Sequence, residues 1–450
     1  MSQKSLISVI TFIVIVAISV FAYFDLLIIL PFLLIAPIFL FLLLKNDSFL
    51  VASFIYVFVI DSGNGLSPVP LRELLFLILL IKLVINFIKY EFRDNKAYLF
   101  LLISVLIPTT SVMISTFRGN LLTHAIDDAQ GYIFLLSGLA LYSIIYFNPN
   151  LKKVVLKHFI FASSIIAVVT ICLYILDITG IFTLNESRQF LSSNNLGFAG
   201  IEVNGNVRIF FRSHIYVMVS LLIVFSLILY SNTKKILLVT IGLILGASIL
   251  ISNTRGLWLG TTFGLVFIAL YGSLTFKKVV FYYVAIIGLV SSLFIANEFW
   301  ESAIYRISTI FNFSTDQSNQ IRGQQATELL NEFYNYPIIG KGFGASLNSG
   351  FYRIADIPYT FELSYFELLY KLGLLGFIIF AISIISIFFV IRSQKENKPM
   401  KIALTASFLA FLLLSGTNPY IVSSLGMFLL SVIYALSRET YHNNYESRPS

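Results

Sequence analysis

Long apolar runs and short polar breaks alternate along the whole chain. The apolar runs fall near 6–24, 26–44, 49–60, 73–88, 98–116, 131–147, 154–177, 214–230, 236–252, 256–272, 279–296, 364–391, 402–417 and 420–437. Most match the roughly 17–25 residues a helix needs to cross a bilayer. No ten-residue segments alternate strictly between polar and apolar positions, which excludes a membrane β-barrel. The pattern predicts fourteen membrane helices. The third run is short and the junctions at Asp25 and Gly416–Pro419 are tight, so twelve or thirteen is the alternative. No small-residue cleavage site follows the first run, Leu6–Phe24, and a second begins at once, so it reads as a retained span. The expected organisation is membrane helices over 1–177, a long loop at 178–213 and helices over 214–296 with a junction at Arg255. A second long loop at 297–363 with amphipathic helices, helices over 364–437 and a polar tail at 438–450 complete it.

Composition agrees with this class. The 450 residues are 58% hydrophobic and 12% charged, half the ~25% charged residues of soluble domains, and the mean hydropathy is +0.90. The fold class expected is an all-α polytopic membrane protein. Cys172, the single cysteine, falls inside an apolar run and forms no intrachain disulfide. The net charge of +8 is explained by topology rather than by nucleic acid. With the N-terminus inside, Lys45, Lys89, Arg93, Lys96, Lys152, Lys153, Lys157, Lys234, Lys235, Lys277, Lys278, Arg392, Lys395, Lys398, Lys401, Arg438 and Arg448 all fall in cytoplasmic segments, as the positive-inside rule requires. Both long loops then lie outside.

The two sides differ in residue type. Lysine predominates inside, whereas the outer side carries Arg72, Arg118, Arg188, Arg208, Arg212, Arg255, Arg306, Arg322 and Arg353 against only Lys341 and Lys371. Topology needs only charge, but arginine adds a planar fork of donors that grips phosphate oxygens two at a time. An arginine-rich outer face therefore points to an anionic ligand such as phosphate or pyrophosphate; the alternative is snorkelling to outer headgroups. Arg255 is the sharpest case. It lies in "SNTRGLWLG", at the junction of two apolar runs, where an ionisable side chain is costly and marks a functional site by default.

In the second loop, Phe299, Trp300, Ile304 and Tyr305 read as an interfacial amphipathic segment. "QIRGQQATELLNEFYNYPIIGKGFG" follows. Ile321, Ala326, Leu329, Leu330 and Phe333 recur at helical spacing and Pro337 closes the helix. Arg322 then lies near a helix N-terminus, a favourable place for an anion, and Gly340, Gly342 and Gly344 form a flexible, close-approach turn. No strand precedes that turn, so it is not a dinucleotide site.

"SNTRGLWLG", then "IRGQQATELLNEFYNYPIIGKGFG", then "FELSYFELLYKLGLLGF" together resemble the Wzy-type O-antigen polymerase and O-antigen ligase superfamily, over roughly Arg208 to Phe377. The resemblance implies glycosyl transfer outside the bacterial cytoplasmic (inner) membrane, on its periplasmic face, from an undecaprenyl-pyrophosphate-linked oligosaccharide to a sugar hydroxyl. It implies a fold similar to the metal-independent C-type glycosyltransferases, no cofactor, membrane lipids as surroundings, and room for a chain-length regulator as partner. The family's pyrophosphate-holding arginines map onto Arg255 and Arg322, with Arg208 or Arg212 from the first loop. The ligase branch usually places a histidine near the start of the late span; 297–363 contains none and Glu362 stands there, which favours a polymerase.

The residues fit such chemistry. Converging arginines stabilise a pyrophosphate leaving group without a metal. Asp127–Asp128 near His124 is a poor ligand set and reads as a solvated loop turn. Glu362 is the first choice of base, with a helix-dipole role as the alternative. His214, beside Arg212, and Asp356 are further choices. Glu367 and Lys371, spaced i,i+4, read as a neutralised structural bridge. Aromatic residues of "GFYRIADIPYTFELSYF" suit stacking on sugars or an interfacial belt equally. A ligase, or a transporter working through Lys82 or Asp177, are the competing functions; no internal repeat of the transporter kind is evident.

Overall fold

A computed structural model of the chain describes residues 45–62, 66, 70–90, 94, 97–201, 207–231, 235–271, 317–347, 357–394 and 398–438. The expected spans at 6–24, 26–44 and 279–296, the segment around Trp300, and Arg306, Arg353 and Asp356 lie outside these residues.

Helices dominate. In order they are α1 (Asp47–Ile60), α2 (Leu71–Tyr90), α3 (Ala97–Leu101), α4 (Ile107–Phe117), α5 (Leu122–Ile133), α6 (Leu136–Phe147), α7 (Leu151–Ile178) and α8 (Leu184–Ser193). After a hairpin of β1 (Gly197–Ile201) and β2 (Val207–Phe211) come α9 (His214–Tyr230), α10 (Lys235–Ile251), α11 (Arg255–Tyr271), α12 (Gln317–Asn335), α13 (Ser364–Ser393), α14 (Lys398–Ser415) and α15 (Ser424–Ser437). Among the described residues, five stretches are long and apolar enough to cross a membrane: Leu99–Phe117, Leu122–Phe147, Leu151–Ile178, Ser364–Ser393 and Lys398–Ser415. Five shorter apolar helices accompany them.

Amphipathicity sorts the helices into centre and rim. α15 is buried from Leu425 through Ser437 and α9 along nearly its whole length, as a helix apolar on every side must be. α13 instead exposes Leu374, Leu375, Ile378, Ile382, Ile385 and Phe389, an apolar stripe at three-to-four-residue spacing that suits a lipid-facing surface. α11 carries Gly256, Gly260 and Gly264 one turn apart. A Cβ at Gly264 would meet the Leu222 side chain of α9 at 2.6 Å, and one at Gly256 would meet Leu414 of α14 at 2.8 Å. Small residues at this spacing let helix backbones approach where both partners are apolar.

Two stretches depart from the expected pattern. α3 and α4 are joined through a π-helical turn, Leu102–Leu106, in which the Ile107 N–H reaches the Leu102 carbonyl. Pro108 in the next turn has no N–H to donate, and a π turn is how a helix absorbs such an interruption. The expected span at 131–147 begins earlier: the segment from Leu122 is helical, so Asp127 and Asp128 sit on α5 and not in a solvated turn. Asp128 finds its counter-charge inside the protein, on a helix far away in sequence, so the residues around it give no sign of the pairing.

Contacts between connections sort them into two groups. The described junction residues at 118–121, 207–213, 252–254, 336–347, 357–363 and 416–423 lie together: Asn120 donates to the Lys341 carbonyl, Arg208 to that of Ser252, Ser364 to that of Asn418 and Tyr420 to that of Arg212. This end carries Arg118, Arg188, Arg208, Arg212, Arg255 and Arg322. The other end is tied by Arg438, which pairs with Asp94 at 2.8 Å and lies over the rings of Tyr142 and Tyr434, while Lys152 donates to the Arg438 carbonyl.

Candidate active site

The arginine end is organised around the turn that leads into Arg255. α10 and α11 are joined by only Ser252, Asn253 and Thr254, all buried. Asn253 takes φ +44°, a left-handed conformation that asparagine tolerates better than most residues. Ser252 Oγ donates to the Ile249 carbonyl at 2.6 Å and Thr254 Oγ1 to the Ser252 carbonyl at 2.9 Å. The same groups receive Arg208 from the hairpin: its Nε donates to the Ser252 carbonyl at 3.2 Å and its Nη2 to Thr254 Oγ1 at 3.3 Å. β1 and β2 pair antiparallel with Gly200 opposite Arg208 and Phe198 opposite Phe210. The guanidinium lies 5.9 Å from the Phe198 ring and 5.6 Å from Phe210, close enough for cation–π attraction. The polar cluster beside Arg255 therefore makes a tight turn and holds a second arginine next to the first.

A third arginine arrives from α12. The sequence places Arg322 near that helix's beginning, but α12 already runs from Gln317, because Gln317, Ser318, Asn319 and Gln320 do not break a helix. Arg322 consequently lies in the second turn, where the helix dipole adds little. Its Nε donates to Glu362 Oε2 at 2.7 Å. One turn on, buried Gln325 accepts with its Oε1 from the backbone N–H groups of Glu362, at 2.9 Å, and Leu363, at 3.3 Å. α12 thus grips both the carboxylate and the chain just ahead of α13.

Electrostatics join the three segments. Burial lowers the Arg208 pKa from its ordinary value, and the Arg255 charge lowers it further, followed by a smaller contribution from Arg322; Tyr420 and Glu362 act in the opposite sense. Three guanidinium groups from the hairpin, α11 and α12 and the Glu362 carboxylate from the loop before α13 therefore share one neighbourhood. Tyr420, from the loop between α14 and α15, joins them and donates through its hydroxyl to the Arg212 carbonyl at 3.5 Å. Cationic groups in this excess, in a partly dehydrated setting, suit a ligand with more than one negative charge.

The remaining sequence-predicted residues serve this group from its margins. Arg212 donates its backbone N–H to the Leu196 carbonyl at 2.8 Å, closing the hairpin's foot. His214 is fully buried. Its Nδ1 accepts from the Phe211 N–H at 2.8 Å, and its Nε2 lies 3.0 Å from Ser248 Oγ. Both ring nitrogens are taken up inside the protein, fastening the hairpin to α10. Gly340, Gly342 and Gly344 make the close approach expected, but the turn is packed rather than loose. All three have positive φ, and a Cβ at Gly342 would meet Ser115 backbone atoms at 2.5 Å. Backbone N–H groups of the turn reach the Lys371 carbonyl from Gly342 and Asp128 Oδ2 from Gly344.

Behind the turn lies a buried ionic cluster. Lys371 Nζ is 2.5 Å from Glu367 Oε1 and 2.6 Å from Asp128 Oδ2, and donates to the Tyr359 carbonyl at 2.7 Å. The Glu367–Lys371 bridge expected from spacing exists, with Asp128 of α5 as an additional partner. Removing the ammonium alone would strand buried carboxylates, a change that costs on the order of 3–5 kcal/mol. The Tyr359 ring lies 5.0 Å from that of His124. Burial, then the charges of Asp127 and Asp128, raise its phenol pKa.

Comparison with known proteins sets this geometry beside a family. Residues 240–381 match the family model described as O-antigen ligase. A Shigella flexneri protein named O-antigen polymerase is 26% identical over 411 residues, covering 87% of this chain and 94% of that protein. The chain is similar to the O-antigen polymerases and ligases. Proteins of that superfamily are transferases of O-antigen and lipopolysaccharide biosynthesis, and the apolar helices here fit a membrane protein of that kind. The O-antigen ligase match takes in Arg255, Arg322, the glycine turn, Glu362, Glu367 and Lys371, whereas Arg208, Arg212 and His214 precede it. Gln325, Tyr420 and the Arg208-binding roles of Ser252 and Thr254 were not anticipated from sequence. Only Gln325 left a signal, one turn from Arg322 on the same helix face.

Proposed function

We propose that this protein is an O-antigen-type polysaccharide polymerase joining undecaprenyl-pyrophosphate-linked repeat units on the outer face of the bacterial cytoplasmic membrane. The observation that carries the reading is the grouping of Arg255, Arg322 and Glu362 around Arg208, which itself is held by the turn that leads into Arg255. In the reaction an acceptor sugar hydroxyl attacks the anomeric carbon of the lipid-linked glycan. The bond from that carbon to the pyrophosphate oxygen breaks, and the polyprenyl pyrophosphate leaves with the bonding electron pair. Arg208 and Arg255 bind the pyrophosphate and stabilise the charge developing on it, the largest single contribution expected in such a site. No metal or cofactor is required for that step on this reading, because the arginines supply the positive charge.

Glu362 takes the proton of the attacking hydroxyl, and its ion pair with Arg322 gives that role a timing. A pyrophosphate that engages Arg322 competes with the carboxylate 2.7 Å away, so donor binding releases the base. The relative named polymerase spans nearly the whole chain, and no histidine lies between 297 and 363; both favour polymerisation over ligation.

The test is a gel profile of surface polysaccharide from cells lacking this gene, complemented with wild-type protein or with Arg255→Ala. A ladder that collapses to a single repeat on its acceptor in the mutant supports polymerisation. Loss of all attachment, with long lipid-linked polymer accumulating, assigns the ligase reaction instead. A full ladder from Arg255→Ala overturns the arginine site.

A further inference from the structure

We infer that Lys371 is a positioning residue that sets Glu362 against the arginine cluster, acting through the Tyr359 carbonyl. The inference rests on the catalytic reading of Glu362 given above.

Counting donors leads to this role. An ammonium has three N–H bonds, and Lys371 directs them at three acceptors of different origin. Asp128 belongs to α5, Glu367 lies one turn back on α13, and the Tyr359 carbonyl lies in the loop that ends at Glu362. Two of these acceptors are side-chain carboxyl oxygens, whereas the third is main chain and carries no charge to balance. The third N–H goes to a main-chain oxygen three residues before Glu362. From the other side, Gln325 holds the backbone N–H groups of Glu362 and Leu363. The loop is thus fixed at both ends, to Lys371 inside the bundle and to α12, the helix that carries Arg322. Lys371 is also tied to the glycine turn, because its own carbonyl receives the Gly342 N–H at 2.9 Å and Asp128 receives that of Gly344 at 2.8 Å. α5, the glycine turn and α13 therefore form one rigid support. The ammonium fastens the loop before Glu362 to that support through the Tyr359 carbonyl, and holds Glu367 of α13 at 2.5 Å.

The test is a mutant cycle in membrane vesicles supplied with lipid-linked repeat units. The neutral triple variant Lys371→Met, Glu367→Gln, Asp128→Asn removes the charges together, so no buried ion is stranded. It is made in the wild-type and in the Glu362→Gln background, with protein levels in the membrane matched. In the wild-type background turnover should drop by about two orders of magnitude, the scale of a displaced general base, with KM for donor nearly unchanged because the arginines are untouched. In the Glu362→Gln background the same changes should add little further loss, since residues that act through one another are not additive. Equal losses in both backgrounds, or unchanged turnover in the first, overturn the inference. Should the triple variant fail to accumulate, Lys371→Arg keeps the charge while moving the donors, and must show a smaller loss of turnover with the same dependence on Glu362. If Glu362→Gln is itself fully active, the catalytic reading of Glu362 fails, and Arg255→Ala assayed in parallel reports separately on the arginine cluster.

Discussion

A guanidinium and an ammonium carry the same charge in different shapes, and Arg255 is where that difference is measurable. Bidentate binding of a phosphate group needs the fork. Arg255→Ala should lower kcat/KM for donor on the order of 10²–10³-fold, as loss of one preorganised charge donor does elsewhere, and Arg255→Lys should recover only part of it, about tenfold. An assay with purified lipid-linked repeat units checks both; full activity of Arg255→Lys means that a point charge suffices. Gly342 offers a prediction of another kind. Its φ of +92° and its contact with Ser115 give Gly342→Ala both backbone strain and a clash, together roughly 2–5 kcal/mol, so folded protein in detergent should lose thermal stability markedly. Residue chemistry was legible where it rested on bias: nine arginines on one side against lysines on the other is a signal that needs no partner. The Arg322–Glu362 pair spans forty positions, and the burial of Asp128 depends on a lysine of α13. Neither leaves a trace in local spacing, because the distance that matters is set by the packing of separate helices.

At the level of elements, α12 and α13 show how a soluble-looking helix takes part in a membrane site. α12 packs along the beginning of α13 and presents Arg322 and Gln325 together, one to the carboxylate and one to the backbone. Gln325→Leu removes the acceptor for two N–H groups, a loss of about 1–3 kcal/mol for each donor left buried. The expected outcome is turnover reduced about tenfold with less change in KM for donor, measured in the same vesicles; a KM effect alone would mean that Gln325 serves donor binding. The helices themselves were readable because apolar runs of this length have one main solution in lipid. The hairpin at 197–211 was not. Its alternation is brief, its strands are five residues each, and it lies against α7, α8 and α10, helices whose packing the local pattern does not reveal. The break in α13 at Gly373, where φ is +66°, was equally hidden, since a lone glycine in an apolar helix is usually a packing residue.

For the molecule as a whole, the arginine end is the outer one if the lysine rule holds, and the chain lends itself to a direct test. Cys172 is the single cysteine, so Cys172→Ser gives a background without thiols. A cysteine at exposed Gln189 on α8 should react with a membrane-impermeant maleimide in intact spheroplasts, and one at exposed Asn150 between α6 and α7 only after the membrane is opened. The reverse pattern would invert the topology and the proposed location of the reaction. The shortness of the helices that carry the site has its own consequence. α10 and α11, which meet at the Arg255 turn and expose apolar side chains, have 17 residues each, which at 1.5 Å per residue is roughly 26 Å, below the ~30 Å hydrocarbon thickness of a typical bilayer. Hydrophobic mismatch of this sign is relieved by thinning the surrounding lipid. Thinning of this kind where α11 faces lipid through Leu259, Phe263 and Val266 would bring the leaflet surface toward the Arg255 turn, and on the proposed reading a lipid-borne pyrophosphate would meet the arginines at its own headgroup depth.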